Sequence, residues 1–371
     1  ASPLGRLSAA LLFPKPFQEA RGSSSYDLTT HHLPAMLGAV VTSGLQAHTE
    51  APALGDGNWL ALDARSHRAP ELVEAAGSGN VFRTTRRSMV EATLIDPGTW
   101  LVARDAVPKE LHALARTALD QRPESAIPVR RRDLVLLSTG DQPTADHGWT
   151  RWWLEARRIP YLEADEALLP DLMSATKTTT MLLADTAQAG LSEHTRELII
   201  RFIEAGGHVI AFGHSGRTLA SAIPAGIDAL EFPAGGPVHA PGALLRLLPA
   251  REHPIAMGLD RAIPAMFQRD GVFVVSRSTR GTRVLGRFAG RDTVMSGWMS
   301  DPGAVSDAPA IIEARHGAGH LHAFSFRPLF RGQMLVTAPL VHNLIYTMEL
   351  PSCPPHDRAK TSARPTSGRT S

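Results

Sequence analysis

The stretch GGHVIAFGHSGRT, residues 206–218, carries a helix end, a short apolar run and a tight turn that opens another helix. Gly206 and Gly207 stop what precedes them, and VIAF has no polar position, as a strand covered on both faces requires. His214, Ser215 and Gly216 then occupy the strand-to-helix turn at which open α/β enzymes hold a nucleophile. Upstream, SEHTRELIIRFIEAGG reads as an amphipathic helix with Ser192 as its N-cap, and TTTMLLAD and DLVLLST read as further buried strands. DHGWTRWWLEARRI supplies the helix between those two strands. Such alternation predicts a parallel sheet with helices on both faces, the doubly wound class. The segments 134–137, 181–184 and 209–212 are expected to be neighbours in its core.

Around this centre the chain divides into four stretches. Residues 1–55 mix short apolar runs with EARGSSS and predict an extended entry segment. Residues 56–125 predict a small α/β domain, with NWLALDA, NVFRTT and TWLVAR as strands and RAPELVEAAG and PKELHALARTALD as helices. Residues 126–350 form the larger α/β domain, in which strands and turns dominate after Pro224. QMLVTAPLVHNLIYTM is its last helix, and Pro339 predicts a kink or a late start there. Residues 351–371 are nearly devoid of apolar side chains and predict a disordered tail.

Composition narrows the class. The 371 residues are 43% hydrophobic and 20% charged, within the ordinary range for globular domains. Basic and acidic residues nearly balance, at 38 and 36, so Arg86–Arg87, Arg130–Arg132 and Arg157–Arg158 form no continuous basic face and nucleic acid is not expected as a partner. No apolar run approaches the ~20 residues of a membrane-spanning helix. The single Cys353 permits neither an internal disulfide nor a thiolate metal site.

In order, the phrases YDLTTHHLPAMLGAV, DHGWTRWWLEARRIPY, LIIRFIEAGGHVIAFG, HPIAMGL, VLGRFAG, VMSGWMSD and GAGHLHAFSFRPLFRGQ resemble the C-terminal half of bacterial zinc carboxypeptidase-like proteins. In that group a carboxypeptidase A-type domain is followed by a linking region and a class I glutamine amidotransferase-like domain. The resemblance implies a flavodoxin-like fold for 126–350, a carboxypeptidase-like domain or chain as partner, and an exported location. It places the zinc domain before residue 1, so no cofactor is expected here, zinc belonging to that missing domain.

The residues themselves agree with a chain that holds no metal. His194 and Glu197 have the spacing of a zinc pair, but they sit in the first turn of a helix already explained by its cap. His31 and His32 are adjacent, and His320 and His322 share one strand face, yet no acidic or third His partner is identifiable for either pair. The resemblance also implies a Cys at the 213–216 turn and a His after the late strand HLHAFSF. This chain has Ser215 at the turn and Arg327 and Arg331 after the strand, and a guanidinium is a poor base. Three readings follow. The first is a non-catalytic accessory or regulatory module with a degenerate amidotransferase-like site, the second a hydrolase using Ser215. The third is a domain that binds a small anionic ligand through Arg327 and Arg331. Trp149, Trp152 and Trp153 read as packing at helical spacing, and Ser296–Trp298 as a turn whose ring packs inward.

Overall fold

The computed structural model describes residues 33–37 and 54–348, apart from 141–142, 177–178, 187–189, 233–235, 269 and 277–280. The 1–55 entry segment with His31 and His32, and the 351–371 tail with Cys353, therefore lie outside the described residues, except for a short helix at Leu33–Leu37 and residues 54–55.

Among the described residues the chain is a mixed α/β protein built on two large sheets, with two further two-stranded sheets, Ile227–Leu230 with Val272–Val275 and Ser88–Val90 with Thr93–Ile95. In the first, β1 (Trp59–Leu62), β2 (Val81–Thr84), β3 (Trp100–Ala103), β4 (Thr117–Leu119) and β5 (Ala126–Arg131) pair antiparallel in the order β5-β2-β3-β1-β4. A helix, α1 (Ala69–Ala76), begins with Pro70 in its first turn and buries Leu72 and Val73 in the core.

The second sheet has a parallel half made of β6 (Asp133–Leu137), β7 (Leu162–Ala164), β8 (Thr179–Leu183), β9 (His208–Ala211) and the late strand Gly319–Phe324. Met181 lies beside Val135, Leu182 beside Ile210, and Val209 beside Leu321, so the three strands expected to be neighbours are neighbours. Their continuous apolar character has a plain cause. Leu134, Leu136, Leu182 and Ile210 face Trp153 and Leu154 of α2 (Ala145–Ala156), while Val135, Leu137, Met181 and Val209 face Ile199, Phe202 and Ile203 of α3 (Glu193–Glu204). Each such side chain taken from water contributes about 1.5–3 kcal/mol. Thr144 caps α2 by accepting from His147 N–H at 3.2 Å, and Ser192 caps α3 by accepting from Thr195 N–H at 3.1 Å.

Beyond Ala222, where α4 (Gly213–Ala222) ends, the sheet continues antiparallel through β10 (Gly242–Pro249), β11 (Ile263–Phe267), β12 (Thr282–Phe288), β13 (Val294–Trp298) and β14 (Pro309–His316). The late strand is β15, paired with β14 on one side and β9 on the other. The last helix, α5 (Ala338–Ile345), starts late, with Pro339 in its first turn, and the chain then extends as β16 (Tyr346–Met348).

Two segments differ from expectation. PKELHALARTALD is not a helix: Lys109–Leu114 forms a 3-10 turn and β4 follows, with Leu119 beside Trp59. The open edge of β1 satisfies the backbone of 117–119, and this outweighs the local helical pattern. β5 heads the larger domain in the sequence division, but it hydrogen-bonds into the first sheet, where β16 returns to pair with it. One apolar cluster accordingly runs through both sheets, from Leu60 and Trp100 to Leu136, Phe324 and Leu340. Among the described residues no helix is long and apolar enough to cross a membrane.

Candidate functional site

The turn after β9 is pressed against the carboxyl ends of β8 and β15. Gly213 has φ +56°, and a Cβ there would stand 2.7 Å from Asp185 Cγ. A Cβ on Gly216 would stand 2.7 Å from Phe324 O and 2.8 Å from Ala211 O. His214 N–H donates to Asp185 Oδ1 at 2.8 Å, and Gly213 N–H to Phe326 O at 3.1 Å.

Ser215 is fully buried within this turn. Its Oγ donates to Ala184 O at 2.8 Å, accepts from Thr186 N–H at 3.0 Å, and lies 3.0 Å from Thr186 Oγ1. Rather than capping the turn that follows it, the side chain clasps the end of β8. A nucleophile must reach a substrate carbonyl with a base beside it, and this hydroxyl does neither. Ser215→Ala should strand the Thr186 amide and the Ala184 carbonyl and cost about 1–3 kcal/mol in denaturant unfolding.

Arg327, just beyond β15, is sealed by acids. Its Nη1 lies 3.4 Å from Asp146 Oδ2, and its Nε 3.5 Å from Asp270 Oδ1 and 3.9 Å from Asp185 Oδ2. Nη2 donates to Gln268 O at 2.8 Å and to Gln268 Oε1 at 3.3 Å. Burial pushes Asp146 up to about 7 against the pull of Arg327, with Asp185 and Asp270 adding to the rise. Burial also raises Asp270, although Arg327 and Arg217 oppose it. An incoming carboxylate or phosphate would meet three carboxyl groups around a cation already engaged, so the pairing of Arg327 with an anionic ligand has no support in this geometry. Arg331 is exposed, and both guanidinium groups lie near the ring of Phe330, 4.8 Å (Arg327) and 5.1 Å (Arg331) from its centroid.

A second ion pair closes the other side of the turn. Buried Arg217 grips Glu231 through Nε–Oε1 at 2.7 Å and Nη2–Oε2 at 2.8 Å, and His214 Nδ1 stands 3.6 Å from the same Oε1. Burial favours the neutral form of Glu231, but hydrogen bonds from His214 and Arg217 hold it at about 2. Among the described residues, the space left at the ends of β6 and β8 is about 10 Å³, lined by Ser138, Thr144, His147, Asp185 and Thr186. That is room for one water.

The histidines fall elsewhere. His194 and Glu197 are exposed on α3 and do not meet another histidine; Glu197 lies 3.9 Å from Arg201. His322 does find an acid, because the β14–β15 hairpin sets it directly opposite Glu313. Glu313 Oε1 is 3.7 Å from His322 Nε2 and 3.5 Å from His320 Nδ1. His253, in the loop after β10, completes a group whose ligand atoms lie within 4.8 Å of one another. On the other side, His322 Nδ1 is 2.8 Å from His208 Nε2, and His208 Nδ1 is 3.1 Å from Thr180 Oγ1. Burial lowers His208 to about 3 and His322 well below the usual imidazole range, keeping both neutral at pH 7.

Trp153 is core and Trp149 meets Phe330 edge-on at 5.2 Å, while Trp152 is exposed. Ser296 is buried, and Trp298 packs on His239 at 5.6 Å. An open cleft of about 940 Å³ lies between the first sheet and the loop after β10. Its wall includes Arg65, Arg116, Arg251, Asp96, Glu252 and His253, a lining of mixed charge.

No family model matches the chain, and no curated protein matches it. Solved structures similar to it include a ThuA-like protein from Bacteroides uniformis, at 10% identity and TM-score 0.40, covering 62% of this chain and 96% of that one. A GMP synthase-type protein from Thermoplasma acidophilum gives 10% identity and TM-score 0.40, over 58% of this chain and 93% of that one. A β-galactosidase from Bacillus circulans sp. alkalophilus gives 13% identity and TM-score 0.36, over 57% of this chain but 31% of that one. Identities and TM-scores this low say nothing of activity.

Proposed function

We propose that the chain is a non-catalytic accessory or regulatory module: a doubly wound, flavodoxin-like domain of the class I glutamine amidotransferase-like type, its site degenerate, serving a zinc carboxypeptidase-like protein. The observation that supports a degenerate site is the filling of the crevice by the protein's own side chains. Ser215 is consumed by Ala184 and Thr186, and the late-strand position holds Arg327 among Asp146, Asp185 and Asp270. The carboxypeptidase connection rests on the ordered sequence phrases.

The purified chain should hydrolyse neither glutamine nor C-terminal peptide bonds above background, with or without added zinc. Loss of the thiolate and of its base together removes several orders of magnitude in rate. A measured turnover that disappears in Ser215→Ala would overturn the degenerate-site reading. The accessory role is tested by mixing the chain with a carboxypeptidase A-type domain of the proteins it resembles; absence of complex formation in sedimentation would overturn that part.

A further inference from the structure

We propose that His253, Glu313 and His322 bind one divalent transition-metal ion of the zinc class, at a site independent of the crevice. The donor set is two imidazoles and a carboxylate, the ligand types such ions take, and it leaves open positions on the ion. The spacing of the pair suits a metal site. Glu313 Oε1 stands 3.7 Å from His322 Nε2, longer than a good N–H···O bond. The gap is close to the ligand-to-ligand distance of about 3.4 Å around a tetrahedral ion with bonds near 2.1 Å.

The support around the ligands is also that of a metal site. Glu313 and His322 are held opposite each other by the β14–β15 hairpin, so their separation does not depend on loop conformation. His322 Nδ1 meets His208 Nε2 at 2.8 Å, and His208 Nδ1 meets Thr180 Oγ1 at 3.1 Å. This relay runs in either of two directions. With protons on both Nδ1 atoms, His322 aims an Nε2 lone pair at the Glu313 carboxylate, an arrangement that a cation between them satisfies. In that direction His322 donates its Nδ1 hydrogen to His208, and an outer acceptor of this kind is a regular companion of a ligating histidine. Arg283 Nη1 lies 3.8 Å from Glu313 Oε2, leaving Oε1 for the ion.

His253 is the ligand that must adjust. Its Nδ1 accepts from Ile255 N–H at 3.2 Å, so its proton rests on Nε2, and the ring has to release that amide to present a lone pair. The residue stands in the wall of the 940 Å³ cleft, which gives an ion its route in. Loading would tie the loop after β10 to the β14–β15 hairpin.

The test is equilibrium dialysis of the chelator-stripped full chain against Zn2+, with metal analysis, and Co2+ absorption spectra to read the coordination. One equivalent should bind, with a ligand-field spectrum of low-coordinate cobalt and a raised melting temperature. Glu313→Gln and His253→Gln should each weaken binding by more than the roughly 10–100-fold that loss of an outer partner costs, whereas His194→Gln should change nothing. His322 lies in the core, so His253→Gln, on the loop, is the deciding variant, with circular dichroism confirming its fold. No binding at micromolar metal, or stoichiometric binding that survives both His253→Gln and Glu313→Gln, would overturn the proposal.

Discussion

Arg327→Met should lower the unfolding free energy by about 3–5 kcal/mol at pH 8, because it removes the cation from a buried group of three carboxyls. Met fills much of the same volume, so the loss is mainly electrostatic. It should shrink as the pH falls, since protonation of Asp146 and Asp270 then relieves what Arg327 relieved. The same carboxyl contributes a slope in the unsubstituted protein. Asp146 is raised to about 7 in the folded chain and lies near 3.9 when unfolded. Between those values the folded state binds more protons than the unfolded one. The contribution of this one group therefore falls as pH rises from about 4 to 7 and levels off above, by roughly 2–4 kcal/mol. Buried His208 and His322, neutral in the fold, contribute a slope of the opposite sign, so the test is the difference between two proteins. In urea unfolding, Asp146→Asn should gain on the unsubstituted protein by that amount between pH 4 and 7, and a difference that does not change with pH would rule out the raised carboxyl.

Asn343→Ala should be nearly as damaging, at about 3–5 kcal/mol, for a different reason. Asn343 is buried on α5 and joins three parts of the molecule. Its Nδ2 donates to Ile255 O at 2.9 Å and Met257 O at 3.1 Å, and its Oδ1 accepts from Arg83 Nη1 at 2.7 Å. Arg83 is entirely buried, lowered by that burial to about 9, and stacked 3.9 Å over Trp100, with Gly98 O as its other acceptor. Truncation takes one acceptor from the desolvated guanidinium, leaving Gly98 O, and strips the Ile255 and Met257 carbonyls of the Asn343 donor, and hydrogen exchange should rise at 255–257 ahead of global unfolding. Exchange there unchanged in the variant would show that the loop is held by something else.

How much of this was legible beforehand depends on where the determining partner lies. β6, β8 and β9 could be read because each is covered on both faces, which makes its own residues uniformly apolar. The 108–120 segment could not, because its strand exists only by courtesy of the β1 edge about 60 residues earlier. The fate of Ser215 and Arg327 was legible in part. The absence of Cys and of a late His is a local fact, but the acids that surround Arg327 come from residues 146, 185 and 270 and converge only through the sheet. The Glu313–His322 pair carries a signal in its own stretch of sequence. In EARHGAGHLH a two-residue turn at Gly317 and Ala318 pairs His316 with Gly319 and, by counting back, Glu313 with His322. The pair His342-Asn343, polar within an apolar helix, was a similar signal for the link to Arg83.

The return of the chain to β5 has a consequence for how the protein is made. Tyr346 pairs with Arg131 and Met348 with Val129, and Tyr346 also donates its hydroxyl hydrogen to Glu74 at 2.6 Å. The larger sheet lies wholly between those partners in sequence and stands topologically as an insertion within the smaller one. During synthesis the first four strands and β5 emerge early, yet the edge of β5 stays bare until residue 348 has left the ribosome. Contacts of such long sequence separation slow the final step of folding. They also couple the two sheets, so a nascent chain halted anywhere before α5 presents an unpaired strand edge to chaperones and to other copies of itself.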